Sequence, residues 1–263
     1  MIALKKIWRF LFFLNFGLTL LFFYPLFFIL LQNKKWFPLV MKLKRLWAKF
    51  ILFNVGLSYE VEYEKKLDKS ATYVFCPNHT SYLDVILTYL AIPNYFHYLA
   101  KIELAQTPLF GIFFKRNMDI AFDRSSIKAS HKAFLKAGAD LDNNISIALF
   151  PEGTISNSAP VLARFKNGPF KLAIEKQVPI VPITFLNNWK LLPDDLSNGP
   201  GHPGKAKVVV HAAIPTSGLT EKDLESLKDK AFQVINNCLS SHSIHYSLNQ
   251  VSSADQHKIH LAD

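Results

Sequence analysis

Cysteine is scarce in this chain, which has only Cys76 and Cys238 among its 263 residues. Two cysteines this far apart are too few for a disulfide framework, and they lack the close spacing of a zinc knuckle or a redox pair. Their scarcity indicates a reducing, cytoplasmic location for the globular part of the protein.

Acidic residues are absent from the first 57 positions, although the whole chain has 20 Asp and Glu against 30 Lys and Arg. The same segment holds nine basic residues, which are Lys5, Lys6, Arg9, Lys34, Lys35, Lys42, Lys44, Arg45 and Lys49. A basic excess of this kind indicates that the partner is either nucleic acid or an anionic membrane surface.

Charged residues of either sign are absent from residues 10–31, which are almost entirely apolar. A helix of these 22 residues would be about 33 Å long, enough to cross the hydrocarbon core of a bilayer. This length favours the membrane over nucleic acid. Because Lys34, Lys35 and Trp36 follow the run instead of a small-residue cleavage site, the segment is expected to stay attached.

Two membrane arrangements of residues 10–31 are open. Basic residues on both flanks oppose the translocation of either end. A span with its carboxyl side in the cytoplasm fits the heavier downstream charge. A hairpin that bends near Pro25 and stays in one leaflet fits both flanks.

Apolar residues recur at helical spacing across residues 39–53, with basic residues among them. This pattern predicts an interfacial helix on the membrane surface. Alternatively, the same apolar stripe packs on the globular domain.

Strand-like runs alternate with helical patterns from residue 58 onward. The predicted strands are residues 59–63, 73–76, 95–100, 118–122, 145–150, 180–185 and 208–212, and the clearest helices are residues 126–141, 163–176 and 220–239. This alternation predicts an α/β fold with a mixed, largely parallel sheet flanked by helices and an N-terminal helical membrane anchor.

Three segments are predicted along the chain: a membrane anchor with a basic interfacial helix (residues 1–57), one domain (58–239) and a polar, disordered tail (240–263). The tail holds several histidines without cysteine or a firm ligand spacing, so no metal site is predicted there. These histidines are His242, His245, His257 and His260.

Residues 76–84 (CPNHTSYLD) follow a predicted strand and open a predicted helix, a common place for a site in α/β folds. In a regular helix His79 and Asp84 would lie about 140° apart, so His79 is expected in the loop, with Asp84 reaching back to it. A carboxylate on one imidazole nitrogen makes the other a general base near neutral pH. Alternatively, Ser81 and Asp84 form a capping box that only fixes the helix start.

Residues 150–154 (FPEGT) leave the end of another predicted strand. With residues 76–84 they resemble the glycerolipid acyltransferase family typified by 1-acyl-sn-glycerol-3-phosphate acyltransferase. The family's block of His, four residues and Asp matches His79 to Asp84. Further blocks in matching order are residues 100–104 (AKIEL) with 120–124 (IAFDR), residues 150–154 with 165–168 (FKNG), and residues 178–183 (VPIVPI).

The resemblance implies that His79, held by Asp84, deprotonates the hydroxyl of a lysophospholipid, which attacks a thioester directly. It also implies substrate contacts from Asn78, Ser81, Lys101, Arg124, Glu152, Gly153, Thr154 and Lys166. The implied reaction moves a fatty acyl group from acyl-CoA or acyl carrier protein to the sn-2 hydroxyl of lysophosphatidic acid, giving phosphatidic acid. Apart from the thioester co-substrate, no cofactor is expected.

One departure from the family pattern concerns the headgroup. Many members follow Glu-Gly-Thr with Arg, whereas this chain has Ile155. The missing guanidinium leaves open an acyltransferase for another lysolipid, or a non-catalytic lipid-binding protein of the same fold. A lipid hydrolase with Ser81 as nucleophile ranks last, because no Gly-x-Ser-x-Gly elbow surrounds it. The expected location is a membrane, with the catalytic domain on the cytoplasmic face.

Overall fold

The structure is a computed structural model that describes residues 2–123, 125–156, 158–195 and 199–259. Its strands are β1 (Leu57–Tyr63), β2 (Val74–Pro77), β3 (Phe96–Lys101), β4 (Ile120–Phe122), β5 (Ser146–Ala148), β6 (Ile180–Phe185) and β7 (Gly204–Val210). Its helices are α1 (Ile2–Leu30), α2 (Phe37–Asn54), α3 (Leu83–Ala91), α4 (Ile102–Gln106), α5 (Ile112–Lys115), α6 (Ile127–Asp142), α7 (Gly168–Lys176), α8 (Asn188–Leu191) and α9 (Leu224–Ile259).

The strands form a single seven-stranded sheet in the order β1-β7-β6-β2-β5-β3-β4. Neighbouring strands are parallel except β6 and β7, which are antiparallel. The predicted fold class, a mixed and largely parallel sheet, is therefore confirmed. Because β2 and β5 are adjacent and parallel, the loops that follow them meet at the same edge of the sheet, the usual position of sites in such folds.

Helices cover both faces of the sheet, and each face has its own hydrophobic cluster. One cluster joins residues of α1, α2 and α3 to inward-facing strand residues such as Phe75 and Phe96. The other joins α6, α7 and α9 to strand residues such as Val74 and Ile147. Val74 and Phe75 are consecutive yet lie in different clusters, as the alternation of side chains along a strand requires.

The two N-terminal helices form a hairpin that shares its core with the domain. α1 is one continuous helix that includes Pro25. The predicted hairpin with its bend near Pro25 is therefore wrong. The reversal comes instead in the short turn before α2. The buried residues Phe12, Leu20, Phe23 and Phe27 lie on both sides of Pro25, and their packing holds the helix together despite the proline.

α2 packs on the domain, as the alternative interpretation of its apolar stripe predicts, and its contact with the membrane surface stays a prediction. Eight of its residues are buried, including Trp47 and Ile51. Even Lys44 is buried, with 1% exposure, and pairs with Asp119 at 2.6 Å. Other apolar residues of α2, such as Leu46 and Phe53, remain exposed.

In the polar segment after residue 240, for which the sequence predicts disorder, α9 continues to Ile259. Neither glycine nor proline occurs after Gly218, so no residue of the usual helix-ending types interrupts it. Residues 260–263 of the predicted tail lie outside the described residues.

Candidate active site

The loop between β2 and α3 holds a hydrogen-bonded pair of His79 and Asp84. The imidazole Nδ1 lies 3.0 Å from Asp84 Oδ2, as the sequence predicts. Asp84 Oδ2 also accepts from the backbone N–H groups of Thr80 at 2.5 Å and Ser81 at 2.8 Å. The carboxylate thus fixes the start of α3 and orients the imidazole at once, so the two interpretations of Asp84 are compatible.

Asp84 is fully buried, and its second oxygen has a partner from a distant part of the chain. Asn188 Nδ2, at the start of α8, donates to Asp84 Oδ1 at 2.7 Å. Both oxygens of the buried carboxylate therefore have hydrogen-bond donors. The sequence gives no signal for this contact, because Asn188 follows Asp84 by 104 residues.

The imidazole of His79 stacks on a neighbouring ring, and hydrogen bonds hold the backbone of His79 in place. It stacks on the ring of Phe150 with 3.9 Å between centroids and 14° between planes. The backbone N–H of His79 donates to Glu152 Oε1 at 2.7 Å, and its carbonyl accepts from the Ser156 N–H at 2.9 Å. The loops after β2 and β5 therefore position one side chain together.

Glu152, which the resemblance implies as a substrate contact, joins these two loops. Its side chain is 2% exposed, and its carboxylate oxygens accept from the backbone N–H groups of His79 and Ala163. Burial raises the pKa of Glu152 to about 7, while these two hydrogen bonds oppose the rise. The next residue, Gly153, has a φ of +75°, a conformation that suits glycine in the turn.

Asn78 and Ser81, which the resemblance implies as substrate contacts, are both fully buried and bonded within the protein. The Asn78 amide exchanges two hydrogen bonds with the backbone of Phe185. The Ser81 hydroxyl donates to the Leu192 carbonyl and accepts from the Leu83 N–H. These bonds also leave Ser81 unavailable as a nucleophile.

Cationic candidates lie at the carboxyl ends of β3 and β5. Lys101 Nζ donates to Thr154 Oγ1 at 3.3 Å, and both side chains are exposed. Lys166 is exposed, and its backbone N–H donates to the Pro151 carbonyl at 2.8 Å. Arg124 lies outside the described residues.

A small cavity of about 80 Å³ adjoins the His79 loop. Its lining includes Thr80, Ser156, Trp189 and Asp194. Among the described residues, the buried Thr80 Oγ1 has no hydrogen-bond partner. Thr80 lies between His79 and Asp84 in the sequence but is not among the predicted site residues.

Comparisons with known proteins relate the chain to acyltransferases. Residues 58–186 match the acyltransferase family profile. An uncharacterized acyltransferase of Schizosaccharomyces pombe is 33% identical over 185 residues, which cover 69% of this chain and 65% of that protein. Human 1-acyl-sn-glycerol-3-phosphate acyltransferase beta is 30% identical over 181 residues, covering 66% of this chain and 62% of that protein.

The chain thus spans slightly less than two thirds of the length of these two relatives. Its fold is similar to the crystal structure of the 1-acyl-sn-glycerophosphate acyltransferase PlsC from Thermotoga maritima, with a TM-score of 0.71 at 19% identity. That similarity covers 92% of this chain and 96% of the solved one.

Proposed function

The chain belongs to the acyltransferase family, and we propose that it is a membrane-bound O-acyltransferase acting on lysophosphatidic acid. The observation that carries this proposal is the contact between His79 Nδ1 and the buried carboxylate of Asp84. Because the carboxylate accepts at Nδ1, that nitrogen carries the ring proton and Nε2 has a free lone pair. The pair is a general base that needs no metal.

In the proposed reaction, Nε2 of His79 takes the proton of the sn-2 hydroxyl while that oxygen attacks the carbonyl carbon of acyl-CoA or acyl-carrier-protein thioester. The carbonyl oxygen becomes an oxyanion. Its collapse breaks the carbon–sulfur bond, and the leaving thiolate takes the proton from the imidazolium. Asp84 stabilises the imidazolium between these steps, and no acyl-enzyme forms. The products are phosphatidic acid and the free thiol.

The acceptor phosphate is proposed to bind beside Lys101, with Thr154 and Lys166 near it. Lys101 and Thr154 bring the second and third sequence blocks into contact on an exposed surface. Ammonium groups neutralise a phosphate and donate to its oxygens. Arg124 is proposed as a further ligand. Because Ile155 replaces a guanidinium at this surface, another lysolipid is the second candidate acceptor.

The N-terminal hairpin is proposed to lie within the cytoplasmic leaflet and not to cross the membrane. α1 is the one helix among the described residues with the length and apolarity to span a bilayer. However, it contacts the domain along its length: Arg9 donates to the carbonyls of Pro193 and Asp194, and Phe27 packs on Phe113 with 5.0 Å between centroids. Crossing would carry the polar surface of the domain into the hydrocarbon, at a large cost.

The exposed side of the same hairpin is apolar, as a helix pair embedded in lipid requires. Exposed residues include Phe22, at 73% exposure, and Phe53, at 81%. Basic residues lie at both ends of α1, where they reach the anionic headgroups. The active site would then take up lysolipid from the same leaflet in which the hairpin lies.

Purified protein tests the proposal in an assay that combines several lysolipids with acyl-CoA and acyl-carrier-protein donors, with products identified by mass spectrometry. We expect His79→Ala to lower kcat by roughly 1000-fold, in the range that a general base contributes. Membrane binding should persist. His131→Ala, which removes an exposed imidazole on α6, is the matched control.

Transfer that survives in His79→Ala would contradict the mechanism. Saturable lysolipid binding by the wild type without thioester consumption would indicate a non-catalytic lipid-binding protein instead.

A further inference from the structure

A second cavity lies between α1 and α5, away from His79. It has a volume of about 330 Å³, and its walls include Tyr24 and Phe28 of α1. Phe13 contacts Tyr82 beside the His79 loop, and Phe28 lies 15 residues further along the same helix. At 1.5 Å per residue, roughly 20 Å separate these two positions. We call this cavity the α1–α5 groove.

The α1–α5 groove combines apolar walls with two adjacent cations. Leu109 and Ile112 add to the aromatic wall, and Lys115 and Arg116 lie at its edge. The Arg116 guanidinium lies 5.7 Å from the centroid of the Phe28 ring, so a cation–π contact holds it at the groove.

Positive charge at the α1–α5 groove is not neutralised by the described part of the chain. No acidic residue lines the groove there, and neither Lys115 nor Arg116 forms an ion pair with a described carboxylate. Such a patch attracts an anion.

Apolar surface adjoins this positive charge. Leu21 lies on the same side of α1 as Tyr24 and Phe28 and is 57% exposed, and Leu109 of the groove wall is 39% exposed. A soluble anion has no apolar part that could be buried against such a surface, so the surface adds nothing to its binding free energy. An anionic lipid satisfies both parts, because its phosphate meets the cations while its acyl chains cover the helix.

We propose that the α1–α5 groove binds one anionic membrane phospholipid, with the phosphate at Lys115 and Arg116 and the acyl chains along α1. This site is separate from the acyl-acceptor site beside His79. It rests on the membrane association proposed above and not on acyl transfer. The bound lipid would fix the depth of the hairpin in the leaflet.

Native mass spectrometry of the full chain released from nanodiscs tests this proposal, with dioleoylphosphatidylglycerol and dioleoylphosphatidylcholine as probes. We expect one phosphatidylglycerol to be retained in preference to phosphatidylcholine. The double variant Lys115→Gln/Arg116→Gln should weaken that retention by roughly tenfold or more, because it removes two cations at the anionic surface. Thermal unfolding checks that the variant is folded.

The matched control is Lys65→Gln/Lys66→Gln, which removes the same charge from two adjacent exposed lysines after β1, outside the groove. It should retain the lipid. Equal weakening in both double variants, or equal retention of the two lipids by the wild type, would overturn the proposal. Repeating the measurement in His79→Ala separates this site from catalysis: retention should persist there even if the proposed reaction is wrong.

Discussion

Glu152 shows how a residue of a recognisable motif acts through another residue. Its carboxylate binds the backbone of His79 and of Ala163, and it is buried. The position of the imidazole therefore depends on a buried carboxylate from another loop. This network is a positioning device beneath the reacting groups.

The raised pKa of Glu152 predicts a pH-dependent contribution to folding stability. Its pKa is about 7 in the folded protein and 4.5 ordinarily. A raised folded-state pKa contributes stability that is fully present below about pH 4.5 and is lost as the pH rises through about 7. We expect this loss to be on the order of 3 kcal/mol, since each pKa unit corresponds to about 1.4 kcal/mol.

Urea unfolding of the wild type and Glu152→Gln between pH 4.5 and pH 7.5 measures this contribution. The glutamine variant should be less stable at low pH, because its NH₂ group faces an N–H donor, and its stability should change less with pH. Parallel pH profiles of the two proteins would show that Glu152 is not the group responsible.

At the residue level, the sequence predicts the pair and misses its surroundings. His79 and Asp84 are five positions apart, so local geometry decides that they meet. Asn188 and Phe150 reach the pair only because β5 and β6 flank β2 in the folded sheet. The same long-range contacts bury Asn78, Ser81 and Glu152, for which the family resemblance implies substrate contacts.

At the level of elements, α2 is joined to the sheet by a buried ion pair. Lys44 Nζ lies 2.6 Å from Asp119 Oδ2 and 4.1 Å from the centroid of the Phe113 ring. Asp119 Oδ1 accepts from the Tyr98 N–H at 3.0 Å. Burial lowers the pKa of Lys44, and Asp119 opposes that shift. From the sequence, Lys44 belongs to the basic stripe of an interfacial helix, because its partner lies 75 residues away.

Replacing Lys44 by Met should destabilise the protein by about 3–5 kcal/mol, since it leaves the Asp119 carboxylate buried without its cation. Chemical unfolding in detergent measures this loss. Lys42→Met removes an exposed charge from the same helix and should change stability by less than about 0.5 kcal/mol. Similar losses in both variants would mean that the Lys44 pair contributes no more than a surface lysine.

The fold class and all seven strands follow from the sequence to within a few residues, because alternating apolar runs specify buried strands. The sheet order does not follow from it. Strands β2 and β6 pair although about 100 residues separate them. The arrangement of the hairpin is likewise fixed by packing on the domain and not by hydropathy.

At the scale of the whole molecule, an in-plane hairpin predicts that both ends of α1 face the same compartment. We expect Ala3→Cys and Gln32→Cys, both at exposed positions, to react with a membrane-impermeant maleimide from the side that exposes the domain. Sealed vesicles of inverted orientation, with and without permeabilisation, give this measurement. Labelling of the two positions from opposite sides would establish a transmembrane span.

The pairing of β1 with β7 has a consequence for synthesis of the protein. Residues 57–63 leave the ribosome early, yet their partners, residues 204–210, are translated much later. During that interval β1 has no hydrogen-bonding partner strand, while the apolar hairpin that precedes it is already synthesised and can bind lipid. If the nascent hairpin binds the bilayer early, its exposed apolar surface is protected from aggregation. The sheet is completed later, when β7 has been translated and pairs with β1.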